Sequence, residues 1–203
     1  MTSIIIGDII NSRKLPTKKW LAPLKQFLAN QGKSPKDWEI FRGDQFQLEV
    51  KNPEDALLVA IQIKALMKGL KLDARMSIGI GDKTHNAKKI SESNGTAFIN
   101  SGEVFENLKK EKNTLAIKSG NDIFDYEINL MLRLALTIMD NWLPQASELV
   151  LVTTKNQTFS QEQIGEILNI NQAAVSRRKS RSQLDLIMEF DAFYREKIKN
   201  LQP

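Results

Sequence analysis

Apolar and polar positions change rhythm several times along this chain. Thr2-Ser3-Ile4-Ile5-Ile6-Gly7-Asp8-Ile9-Ile10 is a nearly continuous β-branched run too short for a helix, which predicts a strand buried on both faces. After Pro16, the spacing of Trp20, Leu21, Leu24, Phe27 and Leu28 predicts an amphipathic helix closing at Gln31-Gly32, where glycine can supply a left-handed cap. Alternation returns in Trp38–Arg42 and Gln45–Val50, a hairpin pattern with Gly43-Asp44 at its tip. Asn52-Pro53-Glu54-Asp55 is a helix start, and Ala56, Leu57, Ala60, Ile61, Ile63, Ala65, Leu66 and Met67 give that helix a buried face before Gly69. Met76, Ile78 and Ile80 alternate within a strand from Ala74 to Ile80; Gly95 to Lys110 reads as a loop entering a helix, and Thr114–Lys118 as a closing strand.

Strand, helix, hairpin, helix, strand, helix, strand is an α+β order. It predicts a ferredoxin-like α/β sandwich with helices on one face, over residues 1–122. Beyond Gly120 the texture is helical: Ile123 to Trp142, a helix opened by Pro144, another capped by Thr158-Phe159-Ser160, and a pattern running from Asn171 almost to Leu201. Only Leu149–Val152 resembles a strand there, so residues 123–203 are expected to form a small all-α domain.

Composition narrows the chemistry. With no cysteine and one histidine, His85, the sequence excludes disulfides, thiolate metal sites and multi-histidine centres. His85 sits in a polar loop and takes no role; Trp20, Trp38 and Trp142 fall on apolar faces and are read as core. No apolar run reaches the roughly 18–20 residues that span a bilayer, and no secretion signal is evident, so a cytoplasmic location is expected. The net charge of +5 permits an anionic partner, but residues 142–203 hold eight basic and seven acidic side chains, so the excess lies mostly elsewhere.

Ser160 to Arg178 has the parts of a helix-turn-helix, spanning about residues 160–182. Ser160 and Gln163 make a capping box; Ile164, Ile167 and Leu168 face inward; Gly165 permits close approach, and Ile170 packs beneath the turn. Ala174 and Val175 anchor a second helix that presents Asn171, Gln172, Ala173, Ser176 and Arg177, side chains suited to base edges and phosphates. Arg177, Arg178, Lys179 and Arg181 add a local +4, with no acidic residue between Glu166 and Asp185. The alternative is a helical hairpin with a solvated basic face. The segment resembles the DNA-reading helix-turn-helix of sigma factors and many bacterial regulators.

Asp8 ends a buried strand, and Asp44 lies in the hairpin as Arg42-Gly43-Asp44-Gln45-Phe46. If the hairpin flanks the first strand, both carboxylates meet at one sheet edge as a hard oxygen site for Mg²⁺ or Mn²⁺; the alternative is two satisfied turn aspartates. This pattern resembles the catalytic domain of class III nucleotide cyclases, as do Arg75–Gly81 and Gly95–Asn100. The resemblance implies a metal-bound nucleotide, but where cyclases place a charge-stabilising arginine this chain has Val104.

Over nearly its whole length the chain resembles the SatD family of bacterial proteins, through Gly7-Asp8-Ile9-Ile10-Asn11-Ser12-Arg13, Gly43-Asp44-Gln45-Phe46-Gln47, Ile78–Gly81, Gly95–Phe98, Trp142 and the terminal helix-turn-helix. The resemblance implies a regulator with a cyclase-like N-terminal domain and a DNA-binding end. Asn11, Ser12 and Arg13 follow Asp8 directly and are expected phosphate contacts if a nucleotide binds. The function expected is thus a DNA-binding transcriptional regulator, a homodimer on duplex DNA, whose N-terminal domain senses a nucleotide or dimerises. The competing reading is a metal-dependent phosphoryl-transfer enzyme using Asp8 and Asp44.

Overall fold

In the computed structural model, which describes residues 1–201 less the side chain of Lys109, the opening β-branched run is the central strand. This strand, β1 (Thr2–Ile10), sits third in an open five-stranded sheet ordered β2–β3–β1–β4–β5. It runs antiparallel to β3 (Gln45–Val50), with Asp8 opposite Gln45, and to β4 (Asp73–Gly81), with Asp8 opposite Arg75. β2 (Trp38–Phe41) forms the expected hairpin with β3, turned by Arg42 and Gly43 at φ of 50° and 87°. β5 (Leu115–Lys118) lies parallel to β4 on the other edge.

Helices cover both faces of the sheet. Ile5, Ile9, Met76 and Ile78 join the large core with Trp20, Leu24 and Phe27 of α1 (Thr17–Ala29) and Leu57, Ile61 and Ile63 of α2 (Ala56–Gly69). On the reverse face, Ile4 and Ile6 pack with Ala97 and Phe98 of α3 (Thr96–Glu111). The expectation of helices on one face therefore fails at α3, and β4 shows why. Its outward positions on that side are Ser77, Gly79 and Gly81, and a methyl group on Gly79 would stand 2.1 Å from the Ala97 carbonyl oxygen. Helix backbone lies directly on strand backbone there.

The end of α1 also differs from expectation. The helix stops at Ala29, and Gly32 adopts no left-handed cap. Its carbonyl accepts from Trp38 Nε1 at 3.0 Å, while Asp37 fills the space where a side chain on Gly32 would go. Buried Asp37 accepts from the Lys33 amide at 2.8 Å and pairs with Lys51 at 3.3 Å. Burial pushes this carboxyl up, but the Lys33 amide and the Lys51 and Lys83 ammonium groups outweigh it and hold it below its ordinary 3.8. A depressed folded-state value stabilises the fold above pH 3.8, and that contribution is lost as pH falls through the lower folded value. Asp37→Asn is expected to cost about 1–3 kcal/mol at pH 7. Urea unfolding should show the gap between the two proteins closing in acid; a gap that persists well below pH 3.8 would remove the ionic explanation.

Five helices follow: α4 (Asp122–Met139), α5 (Pro144–Lys155), α6 (Gln161–Leu168), α7 (Gln172–Ser182) and α8 (Leu184–Lys199). Leu149–Val152 is part of α5, its Leu149 and Val150 fully buried. The helical pattern from Asn171 breaks at Gln183, whose φ of 50° turns the chain between α7 and α8. Trp20, Trp38 and Trp142 are all buried, as expected. One continuous core includes the sheet, α1, α2 and these later helices. The Gln62 amide donates to the Thr154 carbonyl at 3.3 Å, and the Tyr194 hydroxyl to that of Pro53 at 2.8 Å. Lys64, fully buried on α2, reaches Asp73 at 2.8 Å, Asp140 at 2.5 Å and the Thr114 hydroxyl at 3.0 Å.

Candidate functional site

Two places gather the residues singled out from the sequence. The first is at the end of β1. Asn11 takes a left-handed conformation, φ 63°, and Ser12–Lys14 form a single 3-10 turn that folds the chain back over the strand end. The Ser12 hydroxyl thereby donates to Asp44 Oδ2 at 2.7 Å, and the Ile9 amide to the Asp44 carbonyl at 3.2 Å. Asp8, Asn11, Ser12, Arg13 and Asp44 line one open cleft of about 460 Å³, together with Lys14 and Arg75. All five residues chosen from the sequence are brought together.

Arg75 was not among them. Strand alternation puts it on the face opposite Met76 and Ile78, and pairing sets it across from Asp8, which its Nη1 approaches to 3.4 Å at Oδ2. Three cationic side chains and two carboxylates therefore share the cleft. Guanidinium and ammonium groups there can hold phosphate, and the carboxylates and hydroxyl are hard oxygen donors. No group of three or more His, Asp or Glu able to hold a metal ion occurs among the described residues. Val104 lies in a separate cleft with Asn107, Asn129 and Arg133, and the Asn100 amide is tied to the Ile80 carbonyl at 2.8 Å.

The second place is α6 and α7. The capping box is present: Ser160 Oγ accepts from the Gln163 amide at 3.3 Å, and Gln163 Oε1 from the Ser160 amide at 2.8 Å. Helix α6 ends at Asn169, φ 51°, and the Ile170 amide returns to the Gly165 carbonyl at 2.9 Å. A methyl group on Gly165 would stand 2.6 Å from the Ile170 carbonyl oxygen, so only glycine lets the turn close this tightly. Asn171 then caps α7, its Oδ1 accepting from the Ala174 amide at 2.9 Å. Two helices joined by a three-residue turn pack through Ile164, Gly165 and Val175.

Ile167 does not share that packing; it is 51% exposed. The buried stripe of α6 runs through Ile164, Gly165 and half-buried Leu168, and at 100° per residue Ile167 falls behind it. On α7, Gln172, Ala173, Ser176, Arg177 and Arg181 are exposed. The basic cluster is partly neutralised: Arg178 meets Glu148 of α5 at 3.1 Å, and Lys179 meets Asp185 at 2.7 Å. Arg177 and Arg181 have no ion-pair partner among the described residues.

A model of the SatD family matches residues 3–196, so the match takes in both the cleft and the α6–α7 pair. Comparisons with curated proteins and with solved structures find no match. With nearly all of its length matched, the chain belongs to the SatD family.

Proposed function

We propose that this protein is a DNA-binding transcriptional regulator, with α6 and α7 as a helix-turn-helix and α7 as the helix that enters the major groove. The observation that carries this reading is the α7 surface, which presents Gln172, Ala173, Ser176 and Arg177, all exposed, on a helix braced from behind by Val175. Carboxamide, hydroxyl and guanidinium are the groups that read base edges. The oxygens of Ser160 and Asn171 are engaged in capping, which leaves the Asn171 amino group as its contribution to the groove. A single such unit binds weakly, so the working form is a homodimer with half-sites about one duplex turn apart. Selection of bound duplexes from a random pool should enrich one sequence with dyad symmetry; no enrichment at low salt would sink the reading.

A second reading belongs to the cleft at the end of β1, favoured by the meeting there of Asp8, Asn11, Ser12, Arg13 and Asp44. On this reading the sheet domain is cyclase-like within the ferredoxin-like class, and the cleft holds a nucleotide as a sensed ligand or for phosphoryl transfer. The oxygen donors suit Mg²⁺ or Mn²⁺ shared with substrate phosphates, a mode that needs only one or two carboxylates. Asp8 and Asp44 would hold the ion, which would neutralise phosphate charge; Arg13 and Arg75 would orient the phosphates. Calorimetry of ATP and GTP with Mn²⁺ should give binding that the Asp8→Asn/Asp44→Asn protein lacks. Equal heats from both proteins would remove the carboxylates from the site.

A further inference from the structure

On α7 the exposed strip Ala173, Ser176, Arg177 and Ser180 has two edges that differ. Lys179 lies along one, held by Asp185. Arg178 and Arg181 lie along the other, three residues apart and so on neighbouring turns. On that side α7 faces the turn leading from α4 into α5, and a cavity of about 470 Å³ opens between them. Its polar lining is two guanidinium groups, from Arg178 and Arg181, and two carboxamides, from Asn141 and Gln145. No carboxylate among the described residues lines it; Glu148, which takes one N–H of Arg178, is not part of its lining and has a side chain 58% exposed. The walls are tied together, because Trp142 Nε1 in the turn donates to the Ser182 carbonyl at the end of α7, 2.9 Å away.

We infer that this cavity seats a backbone phosphate of the duplex, with Arg181 and Arg178 on its oxygens and Asn141 and Gln145 donating from the opposite wall. The inference rests on the DNA reading of α7 and adds a contact that fixes how the helix lies. A helix in a major groove about 12 Å wide has a row of phosphates along each edge. On the Lys179 edge the one cation is already paired, whereas on the arginine edge Glu148 engages Arg178 but no ion pair among the described residues engages Arg181. The arginine edge is concave, cationic and held by a buried tryptophan, which suits a tetrahedral anion and carries no information about bases.

The test compares the wild type with Arg181→Ala, Gln145→Glu and Arg177→Ala on the duplex the wild type selects, across a range of salt. Gln145 is exposed in the first turn of α5, where an acidic side chain favours the helix, so Gln145→Glu keeps the fold while placing a negative charge in the cavity. Gln145→Glu and Arg181→Ala should each bind several-fold more weakly. Each should flatten the slope of log K against log salt by about 0.9 and leave the selected sequence unchanged. Arg177→Ala should instead relax the selected sequence. If Gln145→Glu and Arg181→Ala match the wild type in affinity and slope while Arg177→Ala weakens binding, the seat is refuted and the DNA reading stands. A changed sequence preference in Arg181→Ala would make that arginine a base contact and overturn the seat. A wild type that binds no duplex refutes both.

Discussion

Lys64→Ala is expected to cost the fold about 3–5 kcal/mol, a large part of a domain's whole stability. Lys64 is fully buried, and its ammonium is the hub on which Asp73 at the head of β4, Thr114 before β5 and Asp140 after α4 converge. The Thr114 hydroxyl also donates to Asp140 at 2.9 Å, and Lys68 reaches Asp73 at 3.6 Å and the Asp140 carbonyl. Truncating Lys64 leaves two carboxylates facing one another beside the Lys68 cation, and a void where the stem had been. Removing the charges together, as Lys64→Met/Asp73→Asn/Asp140→Asn, should cost less than the single change, because no ion is then stranded. Urea unfolding decides it: a Lys64→Ala protein within about 1 kcal/mol of wild type would show that the cluster contributes little.

The second large effect is on DNA. Arg177→Ala is expected to weaken binding to the selected duplex by about 1–3 kcal/mol, roughly five- to 150-fold, and to broaden the sequences recovered from a random pool. Arg177 is exposed at the middle of α7 and engaged in no ion pair among the described residues, so its guanidinium is not diverted from a guanine edge. Lys179→Ala should do less, since Asp185 already holds that ammonium at 2.7 Å. Binding isotherms at fixed salt would overturn the assignment if the two replacements had equal effects or if Arg177→Ala left the selected sequence intact.

Much of this architecture can be read from side-chain rhythm. β1 is legible because a β-branched run of that length has no other stable home, and α2 because its apolar positions repeat at helical spacing. Which face α3 covers is harder to read, because the deciding residues are Gly79 and Gly81, and a missing side chain leaves no mark in a hydrophobic pattern. The break at Gln183 is equally silent, since neither glycine nor proline marks it. In the cleft, Asp8 and Asp44 stand out as carboxylates at a strand end and a turn, whereas Arg75 requires knowing which strand lies beside β1. The pairing of Arg178 with Glu148 crosses thirty residues, so counting charges along α7 overstates its free positive charge.

The shared core constrains how a signal could reach α7. α5 packs on α2 on one side and on α7 on the other, so α7 stands one helix away from the layer that covers the sheet. No flexible tether joins the two ends of such a chain. An occupied cleft at β1 could therefore alter α7 only by a small sliding of packed helices, a shear rather than a hinge, and the reach of its control is set by how far α2 can move without opening the core.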